Sequence, residues 1–299
     1  MAAVDLRRIG ELVGKTPVLE LDVPPGKVYV KLEYTNPTGS HKDRIAVYML
    51  RSAVEEGVLR PGGSFVEASS GNTAVSLAWA GVLAGFKPII FAEDTISKGK
   101  LGLLLGMGAE VHLVPRKPWG DPDHYVNAAK RFAEENGLPF LNQYGNEANW
   151  RAHYETTGPE LLSQTGGVDA FVMGIGTGGT VIGIGKYLKE RVPEARVVGV
   201  VPKGSPIAGG RLGDNIEGLA STFVPELYER HGRVVDSVEE VSLADALSSL
   251  KDLLRAGVLA GPSTGASFHV ARRLASRGLR VAIIAADSVL RYPDLLSTQ

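Results

Sequence analysis

The sequence predicts an α/β protein of two domains, each a largely parallel sheet flanked by helices. Three observations carry this expectation. Short β-branched runs alternate with amphipathic stretches along the chain, the pattern of strand–helix–strand units. The length of 299 residues suits two cores, at about 150 residues per domain. Glycine is in excess, 37 residues, about 12% against the usual ~7%, and it clusters where strands should hand over to helices.

The elements follow in order. Residues 28–32 (VYVKL) form the first β-branched run and read as a strand. A turn at Pro37, Gly39 and Ser40 leads to a helix-like stretch at 44–56. Strand 64–67 precedes an apolar helix at 73–84. Strand 88–92 (PIIFA), helix 98–107, strand 110–114 (EVHLV) and helix 125–136 continue the alternation, with 119–123 (WGDPD) as a surface loop. A short strand at 140–142 and a helix at 150–164 follow, then strand 170–173 and helix 181–191. Strands 196–201 (RVVGVV) and 234–238, helices 243–256 and 266–277, and strand 280–285 (RVAIIA) complete the chain. No linker announces a domain boundary, so the chain is expected to cross between domains more than once.

Composition excludes several classes. Lys and Arg number 32 against 33 Asp and Glu, a net charge of −1, so no nucleic acid and no anionic membrane is recruited by bulk charge. With 44% apolar and 22% charged residues the chain is globular rather than disordered. The absence of cysteine removes disulfides, thiolate metal sites, cysteine nucleophiles and iron–sulfur ligation. The N-terminus lacks a signal-like apolar region, and no apolar run approaches the ~20 residues that span a bilayer. A cytoplasmic protein is expected. Histidines 41, 112, 124, 153, 231 and 269 show no metal-ligand spacing, so no metal is expected.

Four strand–helix junctions carry candidate chemistry, because a helix N-terminus offers unpaired N–H groups and glycine admits a ligand close to the backbone. In Asn36-Pro-Thr-Gly-Ser-His-Lys-Asp-Arg44, Lys42 opens a helix. The helix dipole works against a positive charge there, which suits an amine that attacks a carbonyl; a solvated lysine is the ordinary alternative. In Glu67-Ala-Ser-Ser-Gly-Asn-Thr73, the residues Ser69, Ser70, Asn72 and Thr73 surround one glycine, more polar groups than a cap needs. They make a carboxylate or phosphate cradle.

The third junction, Val172-Met-Gly-Ile-Gly-Thr-Gly-Gly-Thr180, contains G-x-G-x-x-G. A dinucleotide site needs an acid at the end of the next strand, which here ends Val200-Val201-Pro202-Lys203. A cradle for a single phosphate survives. The fourth, Gly261-Pro-Ser-Thr-Gly265, is a literal G-x-S-x-G. The hydrolase order of serine, acid, histidine fails because His269 precedes Asp287. Ser263 remains as one hydroxyl at a helix start. Together the junctions supply a lysine, a carboxylate cradle, a phosphate cradle and a neutral hydroxyl, the set that pyridoxal phosphate and an amino-acid substrate use.

Six motifs stand in register: N-P-T-G-S-x-K-D-R, S-S-G-N-T, Gln143-Tyr-x-Asn-x-x-Asn149, Thr156-Thr-Gly-Pro-Glu160, G-I-G-T-G-G-T and G-x-S-x-G-A. From about residue 8 to 292 the sequence resembles the cysteine synthase and cystathionine β-synthase branch of the fold-type II pyridoxal-phosphate enzymes. The resemblance implies a tryptophan synthase β-like fold, a homodimer, and a division into a smaller mobile domain at 38–147 and a larger cofactor domain at 1–37 with 148–299.

It implies further that Lys42 binds the cofactor covalently and acts as general base and acid. Asn72 would bond the ring hydroxyl; Gly176, Thr177, Gly178, Gly179 and Thr180 the phosphate; Ser263 the ring nitrogen. Ser69, Ser70, Asn72, Thr73 and Gln143 would hold the substrate carboxylate, and Gly218 would approach its amine. A serine at the ring nitrogen does not keep it protonated, which favours β-elimination over transamination. The implied reaction forms L-cysteine from O-acetylserine or O-phosphoserine and sulfide through an aminoacrylate. Cystathionine formation from serine and homocysteine, and serine/threonine dehydration, are the alternatives.

Three departures bear on substrate. Val201 stands where the family usually has an acid, Glu217-Gly-Leu-Ala220 replaces the Gln-Gly-Ile-Gly of many cysteine synthases, and the C-terminal motif reads Val289-Leu-Arg-Tyr-Pro-Asp294. An acid at 217 resembles the cystathionine enzymes and would repel a phosphorylated donor if it faces the site. A chain that stops at 299 fits a stand-alone cysteine synthase.

Overall fold

The computed structural model describes residues 3–292 and Leu295. Its strands are β1 (Val18–Val23), β2 (Gly26–Leu32), β3 (Ser64–Ala68), β4 (Lys87–Glu93), β5 (Glu110–Val114), β6 (Ala170–Gly174), β7 (Arg196–Pro202), β8 (Ser237–Val241) and β9 (Arg280–Ala285). Its α-helices are α1 (Leu6–Glu11), α2 (Lys42–Glu55), α3 (Asn72–Leu83), α4 (Lys98–Gly106), α5 (Tyr125–Asn136), α6 (Glu147–Ala152), α7 (Gly158–Thr165), α8 (Gly179–Arg191), α9 (Glu226–His231), α10 (Leu243–Arg255) and α11 (Pro262–Ala275).

The chain divides into two units, the described parts of Met1–Gly14 with Lys42–Asn149, and of Lys15–His41 with Trp150–Gln299. The first unit holds the three-stranded sheet β3-β4-β5, parallel throughout. Residues 3–14 group here rather than with the larger unit. The Val4 N–H donates to Leu83 O at 2.8 Å, Ile9 is buried, and Gly10 faces Val47 of α2. Helix α5 buries Val126, Ala129 and Ala133, one face at helical spacing, and ends on Gly137 in the left-handed region, φ +63°, which glycine adopts without strain.

The second unit holds a six-stranded sheet in the order β1-β2-β9-β6-β7-β8. Only β1 runs antiparallel to its neighbour. Helices cover both faces of its parallel part, so β6 is buried along its length, as parallel strands between helix layers are. Helix α10 buries Ala246, Ser249, Leu250 and Leu253 against α11. Its start is fixed by Ser242, whose hydroxyl accepts from Asp245 N at 3.1 Å and donates to Asp245 Oδ2 at 2.6 Å, a capping pair. Among the described residues no helix is long and apolar enough to cross a membrane.

The structure departs from the expected elements in several places: α1 and α9 have no counterpart in the sequence reading, and the strand expected at 234–238 is β8 at Ser237–Val241, preceded by a 3-10 turn at Gly232–Val234. Strand β1 reads VLELDV, with acids alternating along an antiparallel edge rather than a β-branched run. Residues 140–142 form a single bridge, Phe140 to Val66. The helix expected at 150–164 is α6, a π-helical turn at His153–Thr157, and α7. Such turns mark places where side chains are re-aimed.

A buried cation fastens β2 to α7. Lys31 is 0% exposed. Its Nζ reaches Glu160 Oε2, Thr16 O and Gln164 Oε1, each at 2.9 Å. Glu160 also accepts from Lys15 N at 3.0 Å. Lys31→Ala strands these acceptors, and the expected loss of unfolding free energy is about 3 kcal/mol, read as a lowered urea midpoint.

Candidate functional site

Each unit carries one cluster of the candidate residues. In the first unit, β3 ends at Ala68 and the chain turns through Ser69, Ser70 and Gly71 into α3. The Ser69 hydroxyl accepts from Gly71 N at 3.1 Å, and the Ser70 hydroxyl accepts from Glu93 N at 2.7 Å. A hydroxyl that accepts from backbone still has its own hydrogen to donate. Gly71 caps α3 without a side-chain cap bond, and the first-turn N–H groups have no acceptor within the helix. This donor set suits a carboxylate.

Thr73 and Gln143 satisfy each other. The Thr73 hydroxyl donates to Gln143 Oε1 at 2.6 Å, and Gln143 Nε2 donates to Ala68 O at 3.1 Å. Asn149 Nδ2 holds Gln143 O at 2.7 Å. Gln143 therefore braces the turn. Asn72 is the first residue of α3 and half-buried. Lys42 is the first residue of α2 and also half-buried.

In the second unit, β6 runs through Ile175, Gly176, Thr177 and Gly178 into α8. Gly178 caps the helix at φ +89°, a left-handed conformation that favours glycine. Gly179 N donates to Thr177 Oγ1 at 3.4 Å. A Cβ on Gly176 would lie 2.4 Å from Gly218 O, and one on Gly218 would lie 3.7 Å from Ser263 Oγ. Gly176, Gly218 and Ser263, distant in sequence, are thus in one place. Ser267 links them further. Its hydroxyl donates to Ser263 O at 3.1 Å and accepts from Gly174 N at 3.1 Å. Ser263 lies in the first turn of α11, while His269 reaches Ser249 Oγ at 3.3 Å, not a nucleophile on an elbow.

Thr180 sits between two buried histidines. Its Oγ1 is 3.3 Å from His41 Nδ1 and 3.1 Å from His153 Nε2, and His153 Nδ1 is 2.9 Å from Thr157 Oγ1. His41 N donates to Ala286 O at 2.9 Å, which fixes the residue immediately before Lys42. His153 and Thr157 belong to the π-helical turn. The sequence pointed only to His41, by its neighbour Lys42; His153 needed the fold.

Behind α11, Gly261 leaves room for the buried Asp287. A Cβ there would overlap its carboxylate. The Tyr292 hydroxyl donates to Asp287 Oδ2 at 2.5 Å. Burial, together with the Asp287 carboxylate, pushes the Tyr292 hydroxyl well above its usual pKa, so it stays a neutral donor. In the sequence Asp287 stands out only as a hydrolase acid and Tyr292 only within the departing C-terminal motif; that Asp287 lies behind α11 and pairs with Tyr292 needed the fold. Among the described residues no group of three or more metal-ligating side chains is assembled.

The donor sets fit pyridoxal phosphate. The cradle at 176–180 combines a helix N-terminus, two threonines and a glycine that a Cβ would close, as a phosphate requires. Ser263 offers a neutral hydroxyl for a ring nitrogen. Comparisons with known proteins agree. The sequence profile of a family described as pyridoxal-phosphate dependent enzyme matches residues 9–286. The chain is 38% identical over 280 residues to a cysteine synthase of Staphylococcus aureus (strain Mu50), covering 91% of this chain and 89% of that one. It is 36% identical over 313 residues to cysteine synthase 1 of Emericella nidulans, covering 96% and 83%. Among solved structures, O-ureido-L-serine synthase superposes with a TM-score of 0.90 at 31% identity, over 97% of this chain and 95% of that one. A cysteine synthase of Entamoeba histolytica gives 0.88 at 29% identity, over 100% and 94%.

Proposed function

Since this chain belongs to the family of pyridoxal-phosphate dependent enzymes, we propose that it is a cysteine synthase, joining sulfide to the β-carbon of an O-activated L-serine with loss of the leaving group. The observation that carries the reading is the turn at Ser69–Thr73, whose serine hydroxyls accept from backbone and keep their own hydrogens to donate, next to the N-terminus of α3. This is a seat for an amino-acid carboxylate. The cysteine synthases named above, matched over 89% and 83% of their lengths, support the cysteine synthase reading.

When bound, the cofactor supplies an electron sink that lets the substrate lose its α-proton and its β-substituent. The chain supplies everything else. Lys42 would hold the cofactor at its aldehyde carbon through Nζ and, once the substrate amine has displaced it there, its free amine would take the Cα proton and return it. The N–H groups and threonine hydroxyls of 176–180 bind the phosphate. Asn72 would donate to the ring hydroxyl, and Ser263 would meet the ring nitrogen with a neutral group, which does not hold a proton there. Ser69, Ser70, Asn72, Thr73 and Gln143 orient the substrate carboxylate, and Gly218 offers backbone to its amine. Two chains form the working enzyme, a homodimer in the cytoplasm.

The leaving group is acetate in this reading. Glu217 lies exposed beside Gly218, and its carboxylate would disfavour a phosphate ester where it faces the site. A second reading keeps the donor and changes the nucleophile. O-ureido-L-serine synthase, at a TM-score of 0.90, is named for a product with the new group on the serine oxygen. The test offers O-acetylserine, O-phosphoserine and serine, each with sulfide, homocysteine or hydroxyurea, and identifies the product by mass spectrometry. L-cysteine from O-acetylserine and sulfide, at kcat/KM at least about tenfold above other pairs, is the expected outcome. A product formed only from homocysteine or hydroxyurea would replace the reading.

A further inference from the structure

Glu67 is a carboxyl group that the reading above leaves unused. It lies on β3, 0% exposed. Its Oε1 accepts from Ala68 N at 2.8 Å and from Gln143 N at 3.5 Å. Its Oε2 is buried and has no hydrogen-bond partner, and among the described residues no cation pairs with it. A fully buried carboxylate with one unpartnered oxygen and no counter-charge is costly, whereas the neutral acid is tolerated.

Its position is what matters. Ala68 leads directly into Ser69, and its carbonyl takes the Gln143 amide. Gln143 in turn takes the Thr73 hydroxyl. Oε1 therefore grips the backbone on both sides of the proposed carboxylate seat. We propose that Glu67 is a positioning residue that, as a neutral carboxylic acid, clamps the Ala68 and Gln143 backbones and so shapes the seat for the amino-acid substrate. This rests on the cysteine synthase reading for the substrate, but not for the clamp.

The surroundings make Glu67 the group that titrates. Burial pushes its pKa up to about 8, with the Ala68 and Gln143 N–H groups opposing the shift. The titratable groups around it are Tyr125 of α5, Tyr144 of the following loop and Glu93 at the end of β4. The tyrosine hydroxyls lie 3.0 Å apart. Burial pushes Tyr144 up to about 12 and Tyr125 well above its usual value, so both stay neutral where Glu67 ionises. The stability that the protonated carboxyl lends is full below the ordinary carboxyl pKa and is lost as pH rises through about 8. Ionisation places a negative charge under the seat and opposes an incoming carboxylate.

The experiment compares wild-type holoenzyme with Glu67→Gln, which keeps an acceptor oxygen and cannot ionise. Infrared spectra should show a carboxylic-acid carbonyl band that persists above about pH 6, where ordinary carboxyl groups are ionised, and is absent from Glu67→Gln. Amide exchange at 68–73 and 143 should accelerate in the wild type relative to the variant once Glu67 ionises. The calorimetric Kd for L-serine should agree between the two at neutral pH and weaken in the wild type by up to about tenfold per pH unit above the Glu67 pKa. A missing band, or superimposed exchange profiles, overturns the proposal; the band needs only the wild type, so a variant that fails to fold does not protect it. Band and exchange as expected with no serine binding at any pH supports the clamp and counts against the cysteine synthase reading.

Discussion

Lys42→Ala is expected to lower turnover by at least about a thousandfold, since it removes both the proposed covalent attachment point and the proposed proton carrier. Stability should change little, because Lys42 is half-buried at the first position of α2. The residue before it is rigidly held. His41 donates its N–H to Ala286 O at 2.9 Å, and its ring meets Thr180. Lys42 thus leaves the chain from a fixed point. A variant that keeps a tenth of wild-type turnover would remove Lys42 from the mechanism. Steady-state kinetics at saturating cofactor separates lost chemistry from lost binding.

Gly176→Ala is expected to weaken cofactor binding by about a hundredfold or more, the scale that misplacement by about 1 Å produces. The added Cβ would lie 2.4 Å from Gly218 O, a backbone atom that no side-chain rotation can clear. Either the 176–180 loop or the 218 segment must move, at a cost of about 1–3 kcal/mol. Gly102→Ala is the control. Nothing lies within 4 Å of its Cβ position, and in α4 the change should stabilise by about 0.5–1 kcal/mol. Fluorescence titration with pyridoxal phosphate and urea unfolding of both variants read these effects. Wild-type cofactor affinity in Gly176→Ala would show that the loop does not hold the phosphate.

Local pattern made much of the fold legible, because parallel strands buried on both faces are β-branched runs and their helices are amphipathic. Strand 280–285 matches the buried β9 to the residue, as do helix 125–136 and α5; strand 110–114 also matches β5, although β5 is a partly exposed edge. Pattern failed where tertiary context decides. Strand β1 is stabilised by its register on β2, Val18 opposite Lys31, and its alternating acids hide it. The break at His153–Thr157 has no local signature. In the candidate site the glycine-rich junctions could be read, because glycine at a strand–helix turn has few purposes. The partners could not. Thr73 with Gln143, Ser267 between Ser263 and Gly174, Thr180 between two histidines and Asp287 against Gly261 are all long-range. Glu67 read as a strand residue, and only its burial without a counter-charge sets it apart.

The central claim is that pyridoxal phosphate is carried on Lys42. Borohydride treatment of the purified holoenzyme followed by peptide mass spectrometry tests it most directly. The predicted result is one pyridoxyl-phosphate adduct per chain, on the peptide containing Lys42. An adduct on another lysine, or none in protein that retains turnover, would contradict the account.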